Sequence, residues 1–408
     1  MTLYDVQRLG HLGDGIAPGP VYAPGALPGD VVTGTNVDGR LQDIRIVTPS
    51  DDRVAPACPH FSRCGGCQLQ HASDPFLKAW KTDVVKSALR AKGLGAEFLE
   101  THVSPEMSRR RAKLTARRTK KGATSGFIGK GSDTVVEIPE CRLLRPELVA
   151  ALPMAEQLAL LTASRKQPIS VTVTSSTEGL DVNVEGGKSL DQKVREALVG
   201  LAENFDLARL CLESEVIMQR RPAWQDFASI PVEPPPGAFL QATKEGEQVL
   251  RADVQATVGS ASKIIDLFAG CGTFALPLAA SGPVHAVECD PHMVAAMDKA
   301  WRHRPGLKKL TLETRDLFRN PLTRDELRCA DAVVIDPPRA GALAQVAELA
   351  VSGVPRIAYV SCDPATFARE AHTLVQNGYA LDAVRVVDQF RWSSHVEIVA
   401  GFSHSSTR

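Results

Sequence analysis

Aromatic residues are scarce in this chain, at 5% of 408 residues. They are too few and too dispersed to build an extended platform on which bases could stack. Net charge is lacking as well: Lys plus Arg and Asp plus Glu stand at 47 each, which excludes an overall basic coat for a polyanion. No apolar run is long enough to span a bilayer. The opening MTLYDVQRLGHLGDG has no basic region followed by an apolar stretch, so no secretory signal is expected. A cytoplasmic protein without a membrane partner is the expectation. What is present, 44% apolar and 23% charged residues, is the make-up of a globular protein. The length favours two or three domains.

The charge is unevenly placed. Between Lys78 and Lys121 thirteen basic residues face four acids, with RRRAKLTARRTKK (Arg109 to Lys121) at the centre. Such a run is either a solvated face or a phosphate contact. Cysteine is uneven too. Cys58, Cys64 and Cys67 crowd into CPHFSRCGGC, and Cys141 follows in IPECRLL. Without a secretory signal these are not a disulfide framework. Three close thiols and a distant fourth suggest a four-thiolate metal site, and spacing alone does not separate zinc from iron–sulfur.

Three regions are expected. Residues 1–52 carry short apolar runs broken by Gly, Pro and Asp, as in a small antiparallel β-barrel. Residues 53–232 contain the cysteines, a helical pattern over 74–92 and strand-like runs, and read as mixed α and β. The proline cluster PVEPPPGAF suits a linker. Over 233–408, KIIDLF, VHAVEC, LTLETRD, DAVVIDPP and RIAYVSC are short strands mostly separated by helical segments, the pattern of a parallel α/β sheet. The runs ALDAVRVVDQF and HVEIVAGF suggest an antiparallel pair at its edge.

Ligands of such sheets sit beyond the carboxyl ends of the strands. DLFAGCGTFALPLA sets Gly270 and Gly272 in a turn before a helix, and Glu288 ends the next strand, placed for a ribose. That plan fits a nicotinamide dinucleotide or S-adenosylmethionine. The next strands end in DPPRAG, with Asp336, and SCDPA, with Cys362; Glu397 follows in HVE. A dehydrogenase needs neither the acid-Pro-Pro turn nor the cysteine. Carbon 5 of uracil attacks a sulfonium only after a thiolate has added at carbon 6, and a base must then remove the carbon 5 proton. A cysteine and a glutamate in one cleft suit that chemistry, although either alone is more often a packing or surface residue.

GAFLQAT, DLFAGCGTF, VECD, DPPRAG, VSCDPATFARE and SSHVEIVAGF, in this order over residues 237 to 402, resemble the motifs of the RNA uracil-5 methyltransferase family. CPHFSRCGGCQLQH, Cys141 and a TRAM-like barrel extend the resemblance over nearly the whole chain. It implies a class I S-adenosylmethionine-dependent methyltransferase (Rossmann-like) domain behind the barrel and an α+β central domain. It implies Cys362 as nucleophile, Glu397 as proton acceptor, and Gln241, Phe268, Thr273, Glu288, Asp316 and Asp336 around S-adenosylmethionine. It also implies a [4Fe–4S] cluster on Cys58, Cys64, Cys67 and Cys141, and a monomer acting on RNA, with 23S ribosomal RNA favoured over transfer RNA. Two rivals are a nicotinamide-dependent oxidoreductase and a non-catalytic RNA-binding protein. Asp363 and Thr273 stand where the family commonly has Asn, and Arg391-Trp392 where it often has Pro.

Overall fold

The computed structural model describes residues 2–404. Its first strands are β1 (Tyr4–Asp5), β2 (Arg8–Leu9), β3 (Asp14–Ala17), β4 (Val21–Pro24), β5 (Val31–Val37) and β6 (Arg40–Thr48), in the order β1-β5-β6-β4-β3-β2. β1 and β2 are two halves of one stretch. Tyr4 pairs with Val32 and Arg8 with Ile16, so the sheet closes on itself and leaves no long free edge. Its small core is Val6, Ala17, Val21, Ala23, Ala26, Val32 and Leu41.

After the cysteine segment comes helix α1 (Asp74–Arg90), opened by Ser73, whose hydroxyl accepts the Phe76 N–H at 3.3 Å. Leu77, Trp80, Val85 and Leu89 form its buried face, each contributing at most about 1.5–3 kcal/mol by burial. Lys81 shares that face, fully buried, and donates to Asp388 at 2.6 Å and to the Phe390 carbonyl at 3.1 Å. Two short strands follow, β7 (Glu97–Phe98) and β8 (His102–Val103).

The central sheet comprises β9 (Arg111–Arg118), β10 (Ala123–Ile128), β11 (Val135–Val136), β12 (Ile169–Ser176), β13 (Gly179–Glu185), β14 (Arg209–Leu212) and β15 (Glu215–Gln219), in the order β11-β10-β9-β12-β13-β14-β15. Helices α2 (Pro146–Val149), α3 (Leu152–Thr162) and α4 (Gln192–Asn204) accompany it. Ala112, Leu114 and Ala116 alternate into a core shared with Val171, Val173, Val182, Val184 and α3. On the other face the proline segment passes close. Arg111 donates to the Gly237 carbonyl at 3.0 Å and Arg209 to the Pro234 carbonyl at 2.8 Å.

The C-terminal elements are β16 (Gln225–Asp226), β17 (Pro231–Val232), α5 (Lys244–Val258), β18 (Ile264–Leu267), α6 (Ala275–Leu278), β19 (Val284–Glu288), α7 (Pro291–His303), β20 (Leu310–Thr314), α8 (Arg324–Leu327), β21 (Ala332–Ile335), α9 (Leu343–Ala350), β22 (Arg356–Ser361), α10 (Pro364–Gln376), β23 (Tyr379–Asp388) and β24 (Glu397–His404). The large sheet runs β20-β19-β18-β21-β22-β24-β23-β7, with β8 also on β23. β18 to β22 are parallel and β24 is antiparallel to both neighbours. Four consecutive buried residues in β18 and in β21 reflect strands covered on both faces. The closing antiparallel pair is added beyond β22, the edge of the parallel strands, with β24 next to β22 and β23 outside it. The outer position belongs to β7 and β8, and Val85, Leu89 and Leu94 join the core beneath this sheet. Residues 74–103, read with the central region from sequence, thus pack on the C-terminal sheet. Among the described residues no helix is long and apolar enough to cross a membrane.

Candidate active site

The chain reverses its direction of winding between β18 and β21, so a crevice opens beyond their carboxyl ends. Asp336 directly follows β21 and Cys362 directly follows β22. Ser361 pairs with Ile398, which sets Glu397, the first residue of β24, beside Cys362 across the antiparallel pair. The register therefore brings together three groups that are far apart in sequence.

Glu397 is buried, Cys362 and Asp336 half-buried. Burial and then the Glu397, Asp336 and Asp363 carboxyls push the Cys362 thiol up to about 11. Burial and Asp336 push Glu397 up to about 8, against a lowering hydrogen bond from Gln389. Burial likewise lifts Asp336, to about 7. A positive charge among these groups would lower all three together. Asp363 raises the thiol, but its side chain is engaged elsewhere. Its Oδ1 accepts the Ala365 and Thr366 N–H groups at 3.0 Å, capping α10, and its Oδ2 faces Arg339 at 3.5 Å.

The candidate cofactor residues line the same crevice. Phe268 has a left-handed backbone, φ 61°, and its ring lies 5.6 Å from that of Phe318. Gly270 and Gly272 follow with φ 55° and 93°; a Cβ on Gly272 would lie 2.8 Å from Leu276, so this turn requires glycine. Glu288 accepts the Gly270, Cys289 and Asp290 N–H groups at 3.0, 2.7 and 3.0 Å, which fixes its carboxylate at the end of β19. Asp316 holds the turn to Phe318 through that residue's N–H at 2.9 Å. Gln241 donates to Asp336 at 3.4 Å, and Thr273 is half-buried on the glycine turn. Two groups were not singled out from sequence. Asp266 is wholly buried, and burial and then Asp336 raise its carboxyl far above the usual range, against a lowering contact with the Ala275 backbone N–H. Gln389 bonds Gln241, Glu397 and the Ala242 N–H; nothing local in the sequence marks it.

Cys58, Cys64 and Cys67 are buried and Cys141 half-buried. Burial pushes the Cys67 thiol up to about 12, and Cys141, Cys64 and Cys58 each add to that. Among the described residues no three His, Cys, Asp or Glu converge closely enough for one metal ion. The segment reaches the crevice by another route. The Gln68 and Leu69 N–H groups donate to the Trp392 carbonyl at 2.8 and 2.9 Å, and Trp392 is buried with Cys67, Leu69, Trp80 and Leu143. The loop leading to Glu397 is thus stitched to the cysteine segment.

Part of the basic stretch is structural. Arg110 is buried, paired with Glu247 and bonded to the Gln241 carbonyl at 3.0 Å. Arg109 and Arg111 bond backbone carbonyls. Arg117 and Arg118 are half-buried, and Lys120 and Lys121 exposed.

Comparison with known proteins places the chain. Residues 311–402 match the family model described as tRNA (Uracil-5-)-methyltransferase. An uncharacterized RNA methyltransferase of Rhizobium meliloti is 44% identical, over 97% of this chain and 97% of its own. The 23S rRNA (uracil(1939)-C(5))-methyltransferase RlmD of Shewanella woodyi is 32% identical over 98% of this chain and 95% of its own. The chain belongs to the RNA uracil-5 methyltransferase family. It is an S-adenosylmethionine-dependent methyltransferase of RNA. The family fold is also that of Pyrococcus abyssi tRNA (uracil-54, C5)-methyltransferase, solved with S-adenosyl-L-homocysteine: TM-score 0.77, 22% identity, 98% of this chain and 99% of that one. A nicotinamide-dependent oxidoreductase is thereby excluded.

Proposed function

We propose that this methyltransferase modifies carbon 5 of a uridine in 23S ribosomal RNA through a covalent bond between Cys362 and carbon 6. The observation that carries the reading is the register that sets Cys362 beside Glu397, with Asp336 close enough to perturb both. The Cys362 thiolate, its proton released to solvent, bonds through sulfur to carbon 6, and the ring electrons pass to the carbon 4 oxygen as an enolate. Carbon 5 then takes the methyl group. Glu397 removes the carbon 5 proton, the 5,6 double bond re-forms, and the electron pair of the sulfur–carbon bond returns to Cys362. S-Adenosylmethionine would supply the methyl group, leaving as the neutral thioether S-adenosylhomocysteine with the sulfur–carbon electron pair, and before transfer its positive sulfonium would favour the ionised form of Cys362. Gln241, Phe268, Thr273, Glu288, Asp316 and Asp336 would hold it. A stacked uracil hides both faces, so the target is flipped out of an RNA loop. The closed N-terminal sheet, read as a TRAM domain, and the cations Arg117, Arg118, Lys120 and Lys121 would contact the RNA backbone.

Ribosomal RNA is favoured because the 23S rRNA methyltransferase of Shewanella woodyi is 32% identical over 98% of this chain, against 22% for the transfer RNA enzyme of Pyrococcus abyssi. Mapping 5-methyluridine in cells lacking the protein is expected to show loss at 23S positions with transfer RNA unchanged. Loss confined to transfer RNA would reverse the assignment.

Cys58, Cys64, Cys67 and Cys141 would hold a [4Fe–4S] cluster. The reading rests on the resemblance carried by CPHFSRCGGC and Cys141, and it is supported by the nearness of Cys141, Cys64 and Cys58 to Cys67, whose thiol each of them raises. Lys130, near Cys67 and Cys64, and Arg109, near Cys67 and Cys141, would offset thiolate charge. Protein purified without oxygen is expected to be brown with about four irons per chain. Cys67→Ser should lose the iron and melt earlier, because the Trp392 loop rests on that segment. Stoichiometric zinc in metal analysis would overturn the iron reading.

A further inference from the structure

Gln389 lies at the end of β23, 1% exposed, enclosed by β24, α5 and the GAFLQAT turn. Its Oε1 accepts the Ala242 N–H at 2.8 Å. A backbone N–H can only donate, so the amide has one admissible orientation. Nε2 must then point the other way, where it donates to Glu397 Oε2 at 2.9 Å and to Gln241 Oε1 at 2.6 Å. The same logic fixes Gln241. Its oxygen is taken, so its Nε2 faces Asp336 Oδ2, at 3.4 Å. One polarised chain therefore runs from the Ala242 backbone through Gln389 to Glu397 and, by Gln241, to Asp336. Helix α5 packs closely on this residue: a Cβ on Gly246 would lie 3.0 Å from Gln389 Cβ.

We infer that Gln389 is a positioning residue, which holds the Glu397 carboxylate by one oxygen and so sets both its aim and the pH range in which it accepts the carbon 5 proton. The inference rests on the reading of Glu397 as the base. With Oε2 held, Oε1 is the oxygen left to receive the proton, while the carbon–hydrogen electron pair re-forms the ring double bond and Cys362 departs with its own pair.

The charged and titratable groups around Glu397 are few. Asp336 beyond β21 and Cys362 beyond β22 both disfavour its ionisation or are disfavoured by it. On the β23 side Asp388 follows Val387, the residue paired with Glu397, and is matched by Lys81 of α1. From α5, Glu247 is matched by Arg110 and Arg251. Against burial and Asp336, the Gln389 amide is the group that favours the carboxylate. Removing it raises the Glu397 pKa, so the base is lost at neutral pH and regained at higher pH.

The test is Gln389→Met, of similar length with no donor, assayed on target RNA for formation and release of the covalent complex across pH. Release near neutral pH is expected to slow about tenfold, with its rising limb moved up by about one pH unit and the wild-type rate recovered above it. At saturating S-adenosylmethionine, complex formation should stay within about threefold, while the KM for S-adenosylmethionine rises because Gln241 loses its partner. If Gln389→Met does not fold, Gln389→Glu replaces the donor by an acid and must also move the limb upward. A limb left in place, or an equal loss of formation and release at every pH, overturns the inference. Glu397→Gln run in parallel separates the two claims. If it releases product at the wild-type rate, the reading of Glu397 fails and this inference with it. If it traps the complex while Gln389→Met leaves the limb unmoved, only the inference on Gln389 fails.

Discussion

Cys362→Ala is expected to lose turnover below detection, at least about 10⁴-fold, the scale on which removing a covalent nucleophile acts. Binding of S-adenosylmethionine should stay within severalfold. The two effects separate because of where the cysteine stands. Cys362 lies beyond β22, whereas the glycine turn, Glu288 and Asp316 belong to β18, β19 and β20 and the turns after them. Removing one half-buried thiol leaves a small, solvent-accessible gap and no orphaned polar group, so folding is expected to hold. The change even relieves the crowd of acids, since Cys362, Glu397 and Asp336 disfavour one another's ionised forms. Isothermal titration with the methyl donor, beside an assay of labelled methyl in RNA, checks both halves. Turnover persisting in Cys362→Ala would sink the covalent mechanism.

Glu397→Gln divides the reaction in time. If Glu397 merely orients the uracil, the variant slows every step and traps nothing. If it is the base, addition and methyl transfer still proceed, because neither needs the carbon 5 proton removed. The enzyme then stalls with a methylated nucleotide bonded to Cys362. Glutamine can still meet the Gln389 amide through its carbonyl, but it accepts no proton at neutral pH. A slow-migrating band carrying labelled methyl is therefore expected on a denaturing gel with unmodified RNA, and release should fall by about 10²-fold or more, within the range for a positioned base. A neighbouring group or water can support slow release. Release of 5-methyluridine at the wild-type rate would remove Glu397 from that role.

These variants were legible from sequence because the site is written at strand ends. AVVI before Asp336 and RIAYVS before Cys362 are apolar runs that only a covered parallel sheet produces. The residue just past each run must then face the crevice. The groups that stayed hidden depend on contacts with no local signature. Gln389 acts through the pairing of Val387 with Glu397 and through Ala242, far upstream. Lys81 looked like part of a basic helix face, yet Asp388, distant in sequence, decides that it is buried. Arg110 likewise sits in a basic run but answers Glu247 of α5 rather than phosphate. Residues 97–103 carried no sign that they would extend the sheet on β23, since two-residue strands have no periodicity to read.

The central claim, a bond between Cys362 and carbon 6 of a uracil in RNA, is tested most directly with target RNA bearing 5-fluorouridine. Fluorine at carbon 5 cannot be removed as a proton, so the complex formed after methyl transfer should persist. Denaturation, digestion and mass spectrometry are expected to find the methylated fluorouridine on the peptide containing Cys362, dependent on S-adenosylmethionine. The same adduct on another cysteine, or methylated RNA with no adduct at all, would contradict the account.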